Sequence, residues 1–442
     1  MNHISFPSPL VSCSFKNLRR FLSASLTLSL SFVLLSGCGS SVQPLIVSSP
    51  DQPITLNVCV WEDEKTYMTA VADAYNAVSA NVTVQITPLS SDNYEQNMNS
   101  ILQDTNSYDL VGIKGIAKVV QLANENLLLD ITDSVKDCIS DNSIDLSSYG
   151  NMFNDITYND HYYAIPTRTT CWALFYNKDL FDQAELPYPQ QMTWNEYEAL
   201  AQKLTNSEDN IYGGYFLPWL PNFRALQKGT YLIDDDTSEL SHSLEFLNRL
   251  YSSSHISYYE MEEVENPPED VYRTFESGKV AMVPNGEWMA NLLLQDEAAG
   301  LSHVNWDIAP MPVENMHDAG TTWGHYQYMC ISASSKHPAE AFDFLMYLCG
   351  SSGAAIYANH AIIPAYSEAQ IIEAYRKAVQ HDSAQYFFEA KKIQEQLPIL
   401  GYQEAIEAYN AAAKSYFSGT LTLDEAMHQF EEDRTSIFRP SR

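Results

Sequence analysis

Cationic side chains are scarce in this chain. Its 442 residues hold 24 Lys and Arg against 56 Asp and Glu, for a formal charge of −32 at pH 7. A protein that neutralises a phosphate backbone needs a basic face, so nucleic acid is excluded as a partner. Catalytic signatures are absent as well. His-Glu-x-x-His, Gly-x-Ser-x-Gly, a Walker loop and Gly-x-Gly-x-x-Gly do not occur. His303, His325, His337 and His360 show no metal-ligand spacing, and no cysteine spacing resembles a zinc pair, so neither a metal nor a cofactor is expected. The paired acids Glu262 and Glu263 fall in a stretch, Glu260 to Asp270, that reads as a solvated acidic loop. An exported glycoside hydrolase would therefore have to hide its two carboxylates in unpatterned positions. Finally, the apolar run from Phe21 to Leu35 is too short and too serine-rich for a good membrane span.

That run has the proportions of a secretion signal. Lys16, Arg19 and Arg20 form its positive head, and Leu35-Ser36-Gly37-Cys38 closes it. Small residues directly before a cysteine resemble the lipobox of bacterial lipoproteins, which implies cleavage after Gly37 and lipidation of Cys38. An ordinary signal with an incidental Cys38 is the alternative. Residues 1–37 contain three basic and no acidic side chains, so their removal takes the charge from −32 to −35. Residues 38–53 read as a flexible polar tether. The mature chain keeps Cys59, Cys138, Cys171, Cys330 and Cys349, an odd number that leaves at least one free thiol. Cys59, Cys330 and Cys349 have the apolar neighbours of buried small hydrophobes.

A chain of this length exceeds what one hydrophobic core serves, so two lobes are expected. Alternation of Ile54, Leu56, Val58 and Val60 predicts a strand ending at Trp61, followed by a helix through Tyr67, Val71, Tyr75 and Val78. A second strand (Val82, Val84, Ile86), a helix (Tyr94, Met98, Ile101, Leu102) and a strand from Tyr108 to Ile113 complete an open, mainly parallel α/β sheet. Ligands of such sheets bind beyond the carboxyl ends of the strands, which places Trp61, Glu62 and the Ile113-Lys114 turn on the ligand-facing edge. Trp61 could equally be an edge-packing aromatic. Pro166 is unsuited to a central strand, so a crossing between lobes is expected there. Thr193-Trp194-Asn195-Glu196 is a capping box opening a helix to Leu204. Trp194 and Trp306 read as packing residues and Asp109 as structural.

Aromatic residues make up 12% of the chain, with 28 Tyr and 7 Trp, more than two ordinary cores require. The segment Phe275-Glu276-Ser277-Gly278-Lys279-Val280-Ala281-Met282-Val283-Pro284-Asn285-Gly286-Glu287-Trp288 predicts a helix end, a glycine turn, a short buried strand, an Asn285-Gly286 turn and a new helix starting at Glu287 or Trp288. It also resembles the most recognisable stretch of family 1 extracellular solute-binding proteins, the lipid-tethered or periplasmic receptors of carbohydrate importers. Tyr163-Ala164-Ile165-Pro166, Phe175-Tyr176-Asn177-Lys178-Asp179-Leu180-Phe181, Ala309-Pro310-Met311-Pro312, Thr322-Trp323-Gly324 and Ser334-Ser335-Lys336-His337-Pro338 follow the family's order.

The resemblance implies a two-lobed α/β fold of the periplasmic-binding-protein kind, each lobe an open sheet flanked by helices, joined by a multi-strand hinge. The lobes are expected at 54–165 plus 279–330 and at 166–278 plus 331–442. It further implies a monomeric, lipid-anchored receptor on the extracytoplasmic face, closing on a carbohydrate and serving ABC permease subunits. A sugar needs flat apolar faces for its C–H patches and planar polar groups for its hydroxyls. Trp61, Trp172, Trp219, Phe223, Trp288, Trp323 and Tyr326 are the candidate wall, with Glu62, Arg168, Asn285, Gly324 and His325 as polar contacts. For Trp288 the competing role is packing between helix and sheet, for Gly324 relief of strand strain, for Arg168 a hinge salt bridge. Alanine at Trp323 and Trp288 is expected to abolish sugar binding while sparing folding. A polyamine would also suit an acidic cleft, although it does not need seven rings.

Overall fold

The computed structural model describes residues 53–91, 93–104, 108–150, 152–216, 220–252, 256–257 and 271–438. Cys38 and most of the tether, Trp219, and the Glu260 to Asp270 loop lie outside the described residues. Ten strands are present among them: β1 (Ile54–Trp61), β2 (Val82–Leu89), β3 (Leu110–Ile113), β4 (Ile165–Thr169), β5 (Trp172–Asn177), β6 (Met282–Gly286), β7 (Trp306–Ala309), β8 (Thr321–Gly324), β9 (Tyr326–Ile331) and β10 (Lys391–Gln394). They form three sheets, ordered β2-β1-β3-β9-β4, β6-β5-β7 and β10-β8.

The first sheet begins as the alternating pattern dictates. β1 pairs in parallel with β2 over its full length and with β3 at Val58 and Cys59. The helix Lys65–Val78 that connects β1 to β2 buries Tyr67, Met68, Val71 and Ala72 against them. β9 joins β3 antiparallel, and β4 closes the edge antiparallel to β9. Pro166 thus sits in an edge strand, where the register shifts between it and Arg168, a placement that a residue without an N–H tolerates. The crossing to the second lobe follows a few residues later, between β4 and β5. Asp109 anchors this sheet, accepting from the Asn57 amide at 3.0 Å and the Ser335 hydroxyl at 2.6 Å.

Two buried hydrophobic clusters identify the lobes. One gathers β1, β3 and β9 with the helix Pro338–Cys349; the other gathers β5, β6 and β7 with the helices Trp194–Leu204, Ser238–Ser252 and Tyr402–Phe417. The packing differs from the expected division at two places, one in 279–330 and one in 331–442. β6 and β7 hydrogen-bond to either side of β5, so they belong with the second cluster. Helix 338–349, expected in the second lobe, buries Ala341, Phe344, Leu345 and Leu348 in the first. Local periodicity identified these elements, but only long-range pairing decides which sheet a short apolar strand joins.

Several local expectations hold. The Thr193/Glu196 capping box is complete and starts the helix at Trp194. Trp194 packs among Phe223, Phe246 and Phe216 with ring centroids 4.9 to 5.8 Å apart. Gly278 has φ of +72°, as its turn requires. Asn285 and Gly286, expected as a turn, are instead the last residues of β6, and the helix Trp288–Ala298 follows after Glu287 alone. All five described cysteines are buried, and none of them forms a disulfide. No helix among the described residues is long and apolar enough to cross a membrane.

Candidate functional site

Three chain segments pass between the lobes side by side. The β4–β5 connection and the β8–β9 connection are stitched together where Thr170 N–H donates to the His325 carbonyl (2.8 Å) and His325 N–H donates to the Thr170 hydroxyl (2.8 Å). The third segment runs along β4: Thr169 N–H donates to Ile363 O and Ala365 N–H to Thr167 O. This multi-strand hinge fixes one edge of the inter-lobe seam. At the carboxyl end of β3 the first lobe meets the second directly, where the Ala117 amide donates to Gln396 and Gln121 donates to Glu404.

Gly324 lies inside the stitch. A Cβ there would fall 2.2 Å from the Thr170 carbonyl oxygen, a backbone atom that cannot swing away. Glycine is needed for two crossing backbones to touch, which answers the strand-strain alternative with a specific close approach. Gly324→Ala is expected to lower stability by at least the ~1–3 kcal/mol of an overpacked site. Urea unfolding of the mature protein checks this, and an unchanged midpoint would rule out the close approach as the reason for glycine.

Beside the hinge three tryptophans form a layer. The Trp172 ring meets Trp288 edge-on at 5.6 Å and lies at 34° to Trp323 at 5.5 Å. Trp172 and Trp323 are buried, whereas Trp288 is half-buried. Gly286 makes room for Trp288: a Cβ on it would come within 1.8 Å of that ring. Trp172 Nε1 donates to Glu395 at 3.0 Å, and the other Glu395 oxygen faces His325 Nδ1 at 2.9 Å. Burial lowers the His325 pKa, but the carboxylates of Glu395, Glu287 and Glu95 together outweigh it and the net shift is upward.

Below the layer is a buried ion cluster. Arg168 donates to Glu287 (3.0 Å) from the second lobe and to the Tyr67 hydroxyl (2.7 Å) from the first; Tyr67 in turn donates to Glu64 (2.8 Å). Glu64 Oε1 lies 3.8 Å from the guanidinium. Burial pushes the Glu64 carboxyl up to about 7, with Arg168 pulling in the opposite direction. Glu287 is also raised by burial, again opposed by Arg168. Glu287 accepts from the Cys171 amide as well, so one carboxylate braces the β4–β5 crossing at two atoms. The hinge-salt-bridge alternative for Arg168 is the one the geometry displays: its terminal nitrogens face protein partners.

The other candidates are dispersed. Trp61 is buried at the end of β1, edge-on to Tyr94 at 5.6 Å, with the Lys114 ammonium 5.4 Å from its ring centroid. Glu62 is exposed, and it is Glu64, two residues on, that turns inward. Tyr326 is half-buried and donates to Asp155 at 3.4 Å. Phe223 is instead fully buried in the second-lobe core, 4.4 Å from Phe216 and 5.5 Å from Trp323. Asn285 is likewise fully buried, and its side chain is spent on the Gly286 amide and Met289 sulfur. Trp172, Trp288, Trp323, Gly324, His325 and Arg168 are thus brought together; Phe223 backs that group, and Trp61, Glu62, Tyr326 and Asn285 stand apart from its contacts.

Sequence reasoning missed Glu64, Glu287, Glu395 and Lys392, which donates to the Thr169 hydroxyl at 2.8 Å. Glu287 stood in the recognised segment with no signal that it would be wholly buried. Glu395 reaches Trp172 across 223 residues, a separation that no spacing rule spans. A separate groove of about 310 Å³ lies on the second lobe between Arg224, Lys228, Glu239, Arg249 and Glu314. Its cations are already paired, for example Arg224 with Glu314 at 2.5 Å and Lys228 with Glu239 at 2.7 Å.

Comparison with known proteins agrees with this architecture. The sequence profile of the bacterial extracellular solute-binding proteins matches residues 61–355. A protein of Brucella abortus (strain 2308), provisionally named a binding protein, is 26% identical over 201 residues, 42% of this chain and 46% of that protein. The chain therefore spans less than half the length of the curated relatives it matches. Among solved structures, a sugar transporter from Rhizobium etli in an open conformation superposes with a TM-score of 0.70 at 25% identity, covering 87% of this chain and 99% of that one. An ABC substrate-binding protein from Listeria monocytogenes in complex with cycloalternan gives a TM-score of 0.76 at 18% identity, covering 87% and 99%.

Proposed function

Because the chain belongs to the bacterial extracellular solute-binding protein family, we propose that it is the receptor of an ABC importer, capturing a carbohydrate of oligosaccharide size between its lobes and delivering it to the permease. The observation that carries this reading is the tryptophan layer of Trp172, Trp288 and Trp323 beside a three-segment hinge. Flat apolar faces suit the C–H patches of sugar rings, and Trp288, the half-buried ring of the layer beside the hinge, is the face offered to a ligand held between the lobes. Closure requires that double contact, since a ligand held by one lobe alone shifts no equilibrium between open and closed forms. We assign 54–168 with 325–365 to the first lobe and 171–323 with 366–438 to the second, the boundaries falling at the three crossings. The protein is a receptor without catalytic residues, acting as a monomer. Residues 1–37 direct export, Cys38 carries the lipid on the extracytoplasmic face of the cell membrane, and 38–53 lets the body open while anchored.

A thermal-shift screen of the mature protein against mono- and oligosaccharides of glucose, mannose and galactose, with spermidine, putrescine and amino acids on the same plate, tests the reading. A ligand bound only by the native state raises the melting point with the logarithm of its concentration over its Kd. A glycan is expected to shift it. A response to polyamines and to no glycan would replace the carbohydrate by a cation.

A further inference from the structure

Glu395 has a position out of proportion to its place in a loop after β10. It is buried, with 7% of its surface exposed, and its backbone N–H donates to the Gly324 carbonyl at 2.9 Å. Its two carboxylate oxygens go to different crossings: one to Trp172 at the start of β5, the other to His325 between β8 and β9. A carboxylate only accepts, so the His325 Nδ1 beside it carries a hydrogen. That leaves Nε2, which is buried and has no partner. Buried polar atoms are normally satisfied, so an open one at a seam between lobes points to a ligand.

We propose that Glu395 is a positioning residue of the cleft, holding the Trp172 indole and the His325 ring so that His325 Nε2 is the atom left for a hydroxyl of the bound solute. The inference rests on the carbohydrate-receptor reading and adds a polarity to it. With Nδ1–H fixed, Nε2 of the neutral ring accepts, and in the protonated ring it donates. A hydroxyl can meet either state, an ammonium group only the neutral ring, a carboxylate only the protonated one. The charged groups acting on His325 come from every side of the seam: Glu395 after β10, Glu287 before helix 288–298, and Glu95 on the first-lobe helix Tyr94–Gln103. All three are carboxylates and favour the protonated ring, which burial opposes. Trp323 Nε1 is a second buried donor without a partner in the same aromatic layer. A cation has nothing to offer it, whereas a sugar oxygen does.

The test uses the mature protein labelled with ¹⁵N-histidine. In the wild type, long-range ¹H–¹⁵N spectra should show neutral His325 as the Nδ1–H tautomer. Glu395→Gln keeps an oxygen for Trp172 but turns an amide N–H₂ toward His325, so the ring should switch to Nε2–H and its protonation midpoint should fall. Glu395→Asp, which retains the charge, should hold the midpoint above that of the glutamine variant. Unchanged tautomer and midpoint in a folded Glu395→Gln would overturn the positioning role. The same samples are then titrated with the glycan set of the thermal screen. A binding glycan should move the His325 Nε2 resonance in the wild type, and in Glu395→Gln it should still do so with Nε2 now the donor, because a hydroxyl both donates and accepts. A glycan that stabilises the protein yet leaves Nε2 unmoved would also overturn the proposal. If no glycan stabilises it, the receptor reading has failed and the assignment of Nε2 falls with it, an outcome the tautomer data keep distinct from failure of the Glu395–His325 contact.

Discussion

Arg168→Ala is expected to lower stability by about 3–5 kcal/mol, because removing one member of a buried ion cluster strands the others. The guanidinium is the only cation paired with both Glu64 and Glu287 in the observed cluster, and all three side chains are at most 4% exposed. Without it two buried carboxylates share a site with the Tyr67 hydroxyl, and at least one must take up a proton. Chemical denaturation at pH 7 measures the loss, and a change below 1 kcal/mol would mean that solvent enters the cluster freely. The triple variant Arg168→Met, Glu64→Gln, Glu287→Gln removes the charges together, and buried ion groups replaced as a set are often tolerated. It should recover most of the lost stability while giving up the polar tie from Glu64 in one lobe to Glu287 in the other.

The same cluster sets a pH dependence whose sign follows from Glu64. Its folded-state carboxyl is raised to about 7 from an ordinary 4.5, so the native state binds more protons than the unfolded chain between those values. Stability therefore falls as pH rises through that window. His325, also raised in the fold, acts in the same direction above its ordinary 6.5. Glu64→Gln should flatten the fall in melting temperature between pH 4.5 and 7 and leave the His325 part above it. A variant as steep as wild type would place the titration elsewhere.

How far the sequence reached depended on the range of each interaction. β1 to β3 and their helices were legible because alternation and helical spacing are local, and the Thr193 capping box because its four residues hold its whole mechanism. Of the candidate site residues, Trp172, Trp323, Gly324, His325 and Arg168 lie together beside the hinge. Their partners were not legible. Glu287, Glu64 and Glu395 become distinctive only when strands far apart in the chain come together, and an acidic residue among 56 Asp and Glu carries no mark of the one that will be buried. The pairing of β6 and β7 with β5 is hidden for the same reason. Phe223, a candidate by residue type, is buried against Trp194 and Phe216, a placement that no local pattern announces.

Trp288→Ala is expected to weaken binding of the glycan found by the thermal screen by roughly 2–4 kcal/mol, the range of a central aromatic contact and about 30- to 1,000-fold in Kd. The expectation that alanine at both Trp288 and Trp323 spares folding conflicts with the full burial of Trp323. Trp323 is fully buried between Trp172 and Phe223, and truncating such a side chain costs about 3–5 kcal/mol through the cavity alone. Lost binding in Trp323→Ala would then report unfolding as readily as a missing contact. Trp288 is half-buried at the margin of the core and meets Trp172 edge-on, so its truncation opens less of a cavity than loss of Trp323. For Trp323 the usable change is to Phe, which keeps a ring in the layer and removes the unpartnered Nε1 donor. Isothermal titration with each folded variant separates the two contributions: a stacking loss at Trp288 and a smaller hydrogen-bond loss at Trp323. Wild-type affinity in both would move the ligand away from the tryptophan layer, toward the face where Gly115 and Ala117 approach Gln396.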